Sequence, residues 1–315
     1  MGEGTTVVAC HWHQRSSELA FLARTIAGAA SRLGRVQVLV PGPLGSREPD
    51  GAFDLAGIGE EGPFVWPDDV PVTASLVVDD LTADVADLIS QSGPTTNFYL
   101  SSSVERPDPT WRRVPLAPGQ GSPFVGTYVP VHPMAAGHRH GGFGFTDYLL
   151  VLSDGSGATG EPPSEAAWLT AAFHDQNVVV VDSGTAWAWK GRSLRGSAPV
   201  DTRMDLWRLV AHAHACVDVL PGIHIARECI EALRFGTPIV VPDGPGVAAI
   251  HATASGGCTY RDPRDLVAHI AALQDGTRRS TASAIGARYA DAHYGDPGAL
   301  VTRLGALFGG TGPAR

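Results

Sequence analysis

Residues 217–242 read VDVLPGIHIARECIEALRFGTPIVVP, and the alternation within this stretch decides the fold. Cys216 to Leu220 is an apolar run of strand length, broken by Pro221 and Gly222. A helix is expected from Ala226 to Phe235, stopped by Gly236, and a second apolar strand from Thr237 to Val241. Strand, turn, helix and strand in that order make a parallel unit. Strands this uniformly apolar belong to a sheet covered on both faces.

The same alternation extends in both directions. Upstream lie a strand at Tyr148 to Leu152, a helix from Ser164 to Phe173, a strand at Val178 to Val181 and a helix from Asp205 to Ala213. At the N-terminus a β-branched run, Thr5 to Cys10, precedes a helix from Ser17 to Leu33, in which Leu19, Leu22, Ala23, Ile26, Ala27 and Ala30 fall on one face. Gly34 stops that helix and Val36 to Val40 reads as the next strand, giving a βαβ unit with a right-handed crossover. Further strands are expected at Asp54 to Ile58, Ser75 to Val78 and Asn97 to Ser101, a short helix at Ala83 to Ser90, and a terminal helix from Pro297 to Phe308. Between Arg106 and Gly144 the chain is rich in Pro, Gly and His without a periodic pattern, so the domain crossing is placed near its end. For 315 residues this gives two α/β domains, 1–143 and 144–315.

Composition narrows the function. The formal net charge of −9 argues against a nucleic-acid groove, which draws its affinity from cations on phosphates. No apolar run reaches the roughly 18 residues that a membrane span needs, and the N-terminus lacks a basic region followed by an apolar stretch, so a cytoplasmic protein is expected. The four cysteines, Cys10, Cys216, Cys229 and Cys258, have no metal or redox spacing. Lys190 is the only lysine.

The quoted segment resembles the donor-binding signature of family-4 retaining glycosyltransferases: a strand, a turn, a helix carrying Glu-Ala (here Glu231-Ala232), and a Gly-Thr-Pro strand (Gly236-Thr237-Pro238). Gly246, Gly256-Gly257 and Asp262-Pro263 follow in the family's order, so the resemblance covers roughly the second half of the chain. It implies the GT-B architecture, two Rossmann-like domains facing a cleft, with the donor held by the second domain and the acceptor by the first. The implied activity is transfer of a sugar from a nucleoside diphosphate to a small-molecule or glycan acceptor, retaining and without metal or further cofactor. A catalytically degenerate GT-B protein serving as partner or scaffold, and a sugar-nucleotide epimerase, are the alternatives.

The residues fit that chemistry as follows. A turn entering a helix aims unpaired N–H groups and partial positive charge at an anion, so Gly222 and its neighbours are the expected diphosphate site. Glu231 would accept the ribose hydroxyls, although on spacing alone it reads as a solvated helix residue. The family's first glutamate is replaced by Ile223, and either His224 or Glu228 takes over its sugar contact or the contact is lost. Glu228, three residues before Glu231, shares its helix face, and its other reading is an ion pair with an arginine. The family's cations after the first strand of the second domain are missing, and Lys190 and Arg192, in the segment following the next strand, are the substitutes, unless they form only a solvated basic loop. In the first half, His11 and His13 follow the first strand, where open α/β sheets bind ligands, and are candidates for the sugar or acceptor. His-x-His spacing recurs at His138/His140 and His212/His214, but nothing completes a metal ligand set and no metal site is assigned.

Overall fold

The computed structural model describes residues 5–9, 18–41, 54–58, 72–78, 97–100, 111–114, 129, 131, 134–137, 148–153, 163–182, 185–190, 193–200, 202–219, 225–244 and 246–309. The chain forms two units, one of residues 1–128 with 296–315 and one of residues 129–295. The sequence places a single crossing at 143/144. The structure divides at 128/129 and again at 295/296, so the chain leaves the first unit, builds the second, and returns.

The first unit holds six described strands, β1 (Thr5–Ala9), β2 (Arg35–Pro41), β3 (Asp54–Ile58), β4 (Val72–Val78), β5 (Asn97–Leu100) and β6 (Arg112–Arg113), in the order β3-β2-β1-β4-β5-β6. All are parallel. Helix α1 (Glu18–Ala30) packs Ala23, Ile26 and Ala27 with no exposed surface, the i, i+3, i+4 stripe that the sequence predicts. The last helix, α9 (Ala299–Gly309), belongs here too: Leu304 is fully buried and the Phe308 ring meets Phe98 of β5 edge-on at 5.9 Å. The expected helix at Ala83 to Ser90 lies outside the described residues.

In the second unit a short helix, α2 (Met134–Gly137), precedes β7 (Tyr148–Leu152), α3 (Ser164–Ala172) and β8 (Asn177–Asp182). Then come β9 (Thr185–Lys190) and β10 (Ser193–Pro199), α4 (Arg203–His212), β11 (Ala215–Asp218), α5 (Arg227–Phe235) and β12 (Ile239–Pro242). Helix α6 (Val247–Ala254), β13 (Cys258–Tyr260), α7 (Pro263–Leu273) and α8 (Gly276–Tyr294) complete it. The sheet runs β10-β9-β8-β7-β11-β12-β13. β7 to β13 are parallel apart from the hairpin β9–β10, which is antiparallel both internally and to β8. The sequence places a strand only up to Val181 and reads the following residues as loop. The alternation Trp187-Ala188-Trp189 and the break at Gly191 are the hairpin signal that a search for apolar runs passes over.

Every residue of β7 is buried, and Leu149, Val151, Val178, Val217 and Val240 from neighbouring strands share one core with Leu169 of α3. Burial of such side chains is worth about 1.5–3 kcal/mol each. Helix α5 is buried over five successive residues, 229–233, because strands lie on one side of it and α4 and α8 on the others. It ends on Gly236 in the left-handed region at φ 79°, and the Thr237 hydroxyl donates to Val210 O of α4 at 2.7 Å. At the boundary, Val129 N–H donates to Tyr294 O at 3.0 Å, and Arg234 of α5 donates to Val129 O and pairs with Asp291 of α8.

Gly257 connects α6 to β13 against β12: a Cβ there would lie 2.5 Å from Ile239 O and 3.2 Å from Ala252 O. Both are backbone atoms that cannot step aside. Gly257→Ala is therefore expected to cost about 1–3 kcal/mol in urea denaturation. Gly276→Ala, where nothing lies within 4 Å, should be neutral or stabilising by up to about 1 kcal/mol.

Candidate functional site

The position of a site follows from the connections. From β7 the chain moves through α3 to β8 on one side, whereas β11 leads through α5 to β12 on the other. The order reverses between β7 and β11, and open α/β sheets bind ligands at the carboxyl ends of the strands flanking such a reversal. Helices α3, α5 and α6 follow the adjacent strands β7, β11 and β12, and their N-caps are Pro163, Ala226 and Gly246, none with a capping side chain. Helices α4, α7 and α8, by contrast, are capped by Thr202, Asp262 and Asp275. The N-cap residues of the central three helices thus put no side chain of their own on the first N–H groups at the positive dipole ends.

Where the first turn of α4 meets the first two turns of α5, four charged side chains come together. Arg203 opens α4, held there by a capping box in which Thr202 Oγ1 accepts from Asp205 N–H while Asp205 Oδ2 accepts from Thr202 N–H, each at 3.2 Å. Its guanidinium donates from Nε to Glu231 Oε1 at 2.8 Å, from Nη2 to Glu231 Oε2 at 2.6 Å, and from Nη1 to Glu228 Oε1 at 2.7 Å. Arg227 adds a bond from Nε to Glu231 Oε1 at 3.1 Å. This is the two-pronged geometry that makes arginine a stronger carboxylate partner than lysine. The side chain of Glu231 has no exposed surface, whereas that of Glu228 keeps 22%.

The electrostatics follow from burial. Desolvation pushes the Glu231 carboxyl above its ordinary value, and Arg203 pulls it back. Burial also works against the charge of Arg203, but Glu228 and Glu231 overcome it and hold the guanidinium above its usual value. Arg227 is lowered, by burial first and by the neighbouring Arg203 second. Beneath the cluster, Asp218 ends β11 at 2% exposure and accepts from Cys229 Sγ at 3.6 Å. The Cys229 thiol is pushed up by its hydrogen bond with Cys216 and by burial.

Of the residues singled out from sequence, the structure brings Glu228 and Glu231 together and makes Glu231 a core residue instead of a solvated one. Gly222, Ile223, His224, Arg192, His11 and His13 lie outside the described residues. Lys190 ends β9 beyond the Trp189–Val178 pair, at the amino edge of the parallel strands. It is therefore not brought together with Glu228 and Glu231, which belong to the helix that starts at the opposite, carboxyl edge. The returning strand β10 carries the chain back to the carboxyl edge and delivers Arg203 there. His212 ends α4, and His214, 8% exposed, packs against Arg279 with Nε2 3.1 Å from Leu273 O. Among the described residues no group of three or more His, Cys, Asp or Glu could hold a metal ion, and no helix is long and apolar enough to cross a membrane.

Sequence reasoning missed Arg203 and Asp218. Thr202 followed three residues later by Asp205, before an apolar run, marks the start of a helix and so places Arg203 at its first position. Nothing local pairs it with residues 25 and 28 positions further on.

No family model matches this sequence, and no curated protein matches it either. Solved structures do. A sucrose-phosphate synthase from Thermosynechococcus elongatus superposes with a TM-score of 0.64 at 10% identity, over 98% of both chains. HepE from Anabaena, solved with UDP and glucose, gives 0.62 at 10% identity, over 98% of this chain and 100% of that one. WaaG, a glycosyltransferase of lipopolysaccharide biosynthesis, gives 0.58 at 13% identity, over 97% and 100%. The fold is GT-B along nearly the whole chain.

Removing Arg203 leaves Glu231 buried with one cation. Because the guanidinium is a third exposed, Arg203→Met should cost about 2–4 kcal/mol at pH 7–8, the low side of the range for breaking a buried pair. The raised carboxyl of Glu231 favours the folded state most when protonated, and that contribution fades as pH rises through its folded value. In Arg203→Met the value rises further, so the deficit should shrink as pH falls from neutral toward the ordinary carboxylate range near 4. Urea titrations at two pH values measure this. An equal deficit at both would mean that the pair is not its source.

Proposed function

We propose that this protein is a glycosyltransferase that binds a nucleoside-diphosphate sugar at the carboxyl edge of the second unit and transfers the sugar to a small-molecule or glycan acceptor. The observation that carries the reading is the uncapped N-terminus of α5, flanked by Arg203, Arg227 and Glu228, at the β7/β11 reversal. Diphosphate oxygens suit unpaired N–H groups, a positive dipole end and guanidinium edges, and ribose hydroxyls suit a carboxylate. HepE, of the same fold, was solved with UDP and glucose, which supports a nucleotide as the ligand. Family-4 likeness in residues 217–242 supports retention at the anomeric carbon.

The reaction breaks the bond from the anomeric carbon to the β-phosphate oxygen, which keeps the electron pair, and forms a bond from the acceptor oxygen to that carbon. The acceptor's proton passes to the departing diphosphate. Charge developing on the diphosphate is met by fixed dipoles and guanidinium groups, the electrostatic stabilisation that costs least when the donors are already oriented. We propose that this replaces a divalent ion. His11 and His13 follow β1, which ends at Ala9 beside the first unit's own reversal between β1 and β4, and are proposed to face the acceptor.

Two observations favour a second reading, a degenerate GT-B protein that binds without transferring: Ile223 stands at the family's first glutamate, and both oxygens of Glu231 are engaged by arginines. Incubation with a panel of UDP-, GDP-, ADP- and TDP-sugars separates the two. An enzyme releases sugar and nucleoside diphosphate slowly in water alone, with activity unchanged by chelator, and the released sugar's initial anomer, read by NMR, is that of the donor. Binding without any release would establish the degenerate protein. Activity that is lost to chelator and restored by one divalent ion would overturn the metal-free mechanism.

A further inference from the structure

The sequence signature assigns the ribose to Glu231, but its carboxylate is already spent. Oε1 receives Nε–H from both Arg203 and Arg227, at 2.8 and 3.1 Å, and Oε2 receives Nη2–H of Arg203 at 2.6 Å. With no surface exposed, it presents no oxygen to a ligand. Glu228 differs on each count. It lies at the second position of α5, within the turn whose N-cap residue, Ala226, has no side chain to cap it, and its side chain is 22% exposed. Arg203 Nη1 reaches Oε1 at 2.7 Å, and Oε2 has no bond among the described residues. We propose that Glu228, not Glu231, is the residue that accepts the ribose hydroxyls, and that Glu231 is a buried strut that positions Arg203.

The division is physically coherent. A ribose diol offers two O–H donors, and against the described residues Glu228 keeps the acceptor capacity to take both: Oε2 and the remaining lone pair of Oε1. Arg203 is the hinge of the arrangement. Two of its N–H groups are bound to the strut and one to Glu228, so it fixes the rotamer of a side chain that would otherwise sample several, and its exposed edge, 32% of the side chain, stays beside the ligand. Glu231, satisfied by three N–H groups in the interior, holds that guanidinium plane in place without touching the nucleotide.

This assignment rests on the proposal that a nucleoside diphosphate binds here, and the test separates the two. Calorimetry with UDP, GDP, ADP and TDP identifies the preferred base, and the 2′,3′-dideoxy form of that nucleotide then measures the ribose contact. Wild-type protein is expected to bind the ribose form at least tenfold more tightly. In Glu228→Ala that preference should vanish, with the ribose form falling to the dideoxy level, and Glu228→Gln, which keeps one acceptor oxygen, should recover part of it. Glu231→Gln should lower the melting temperature while the folded protein still prefers ribose. If Glu228→Ala keeps the preference, or folded Glu231→Gln loses it, the assignment is overturned while nucleotide binding stands. If wild-type protein binds no member of the panel, both proposals fall.

Discussion

The second unit depends on a carboxylate in the wrong solvent. Glu231 lies inside a helix that is buried on nearly every side, where an isolated charge would be expelled or neutralised. It stays because Arg203 reaches it from the first residue of another helix with two parallel hydrogen bonds and Arg227 adds a third. The pairing tolerates little displacement, so it ties the first turn of α4 to the first two turns of α5 at the carboxyl edge. The hairpin β9–β10 serves the same end, since without its returning strand the chain would not arrive at that edge with an arginine to offer.

How much of this the sequence disclosed depends on the range of the interaction. Strands whose residues are all buried, such as Tyr148–Leu152, show as apolar runs, and a helix ended by glycine, such as Arg227–Phe235, shows its stop. Both are recorded within a few consecutive residues. The hairpin was illegible as a strand pair because its apolar residues alternate instead of running together. Helix α8, nineteen residues long with a weak apolar stripe, left no periodic trace between Asp275 and Gly295. The ion cluster was half legible: two glutamates on one helix face could be read, but their arginine sits on a separate helix, and only packing identifies it.

The departure from the resembled signature becomes intelligible on the same grounds. With Ile223 in place of the signature's glutamate, the two glutamates of α5 are matched, among the described residues, by Arg203 and Arg227. The proposed diphosphate would meet oriented dipoles and guanidinium groups already shared with carboxylates. Orientation, more than net charge, is what the proposed site would offer.

The hydrogen bond from Val129 to Tyr294 has a consequence for how this protein can be taken apart. It joins the first residue of the second unit to the penultimate one, so that residues 129–295 form one uninterrupted segment whose ends touch. For protein engineering the segment is a cassette set within the chain of the first unit, with its two ends side by side. Such a cassette suits excision, exchange with that of another chain, or circular permutation through a short bridge, because none of these stretches the backbone. The order of residues along the chain and the order of folding units need not agree, and here the hydrogen bonds made by Val129 mark where they part.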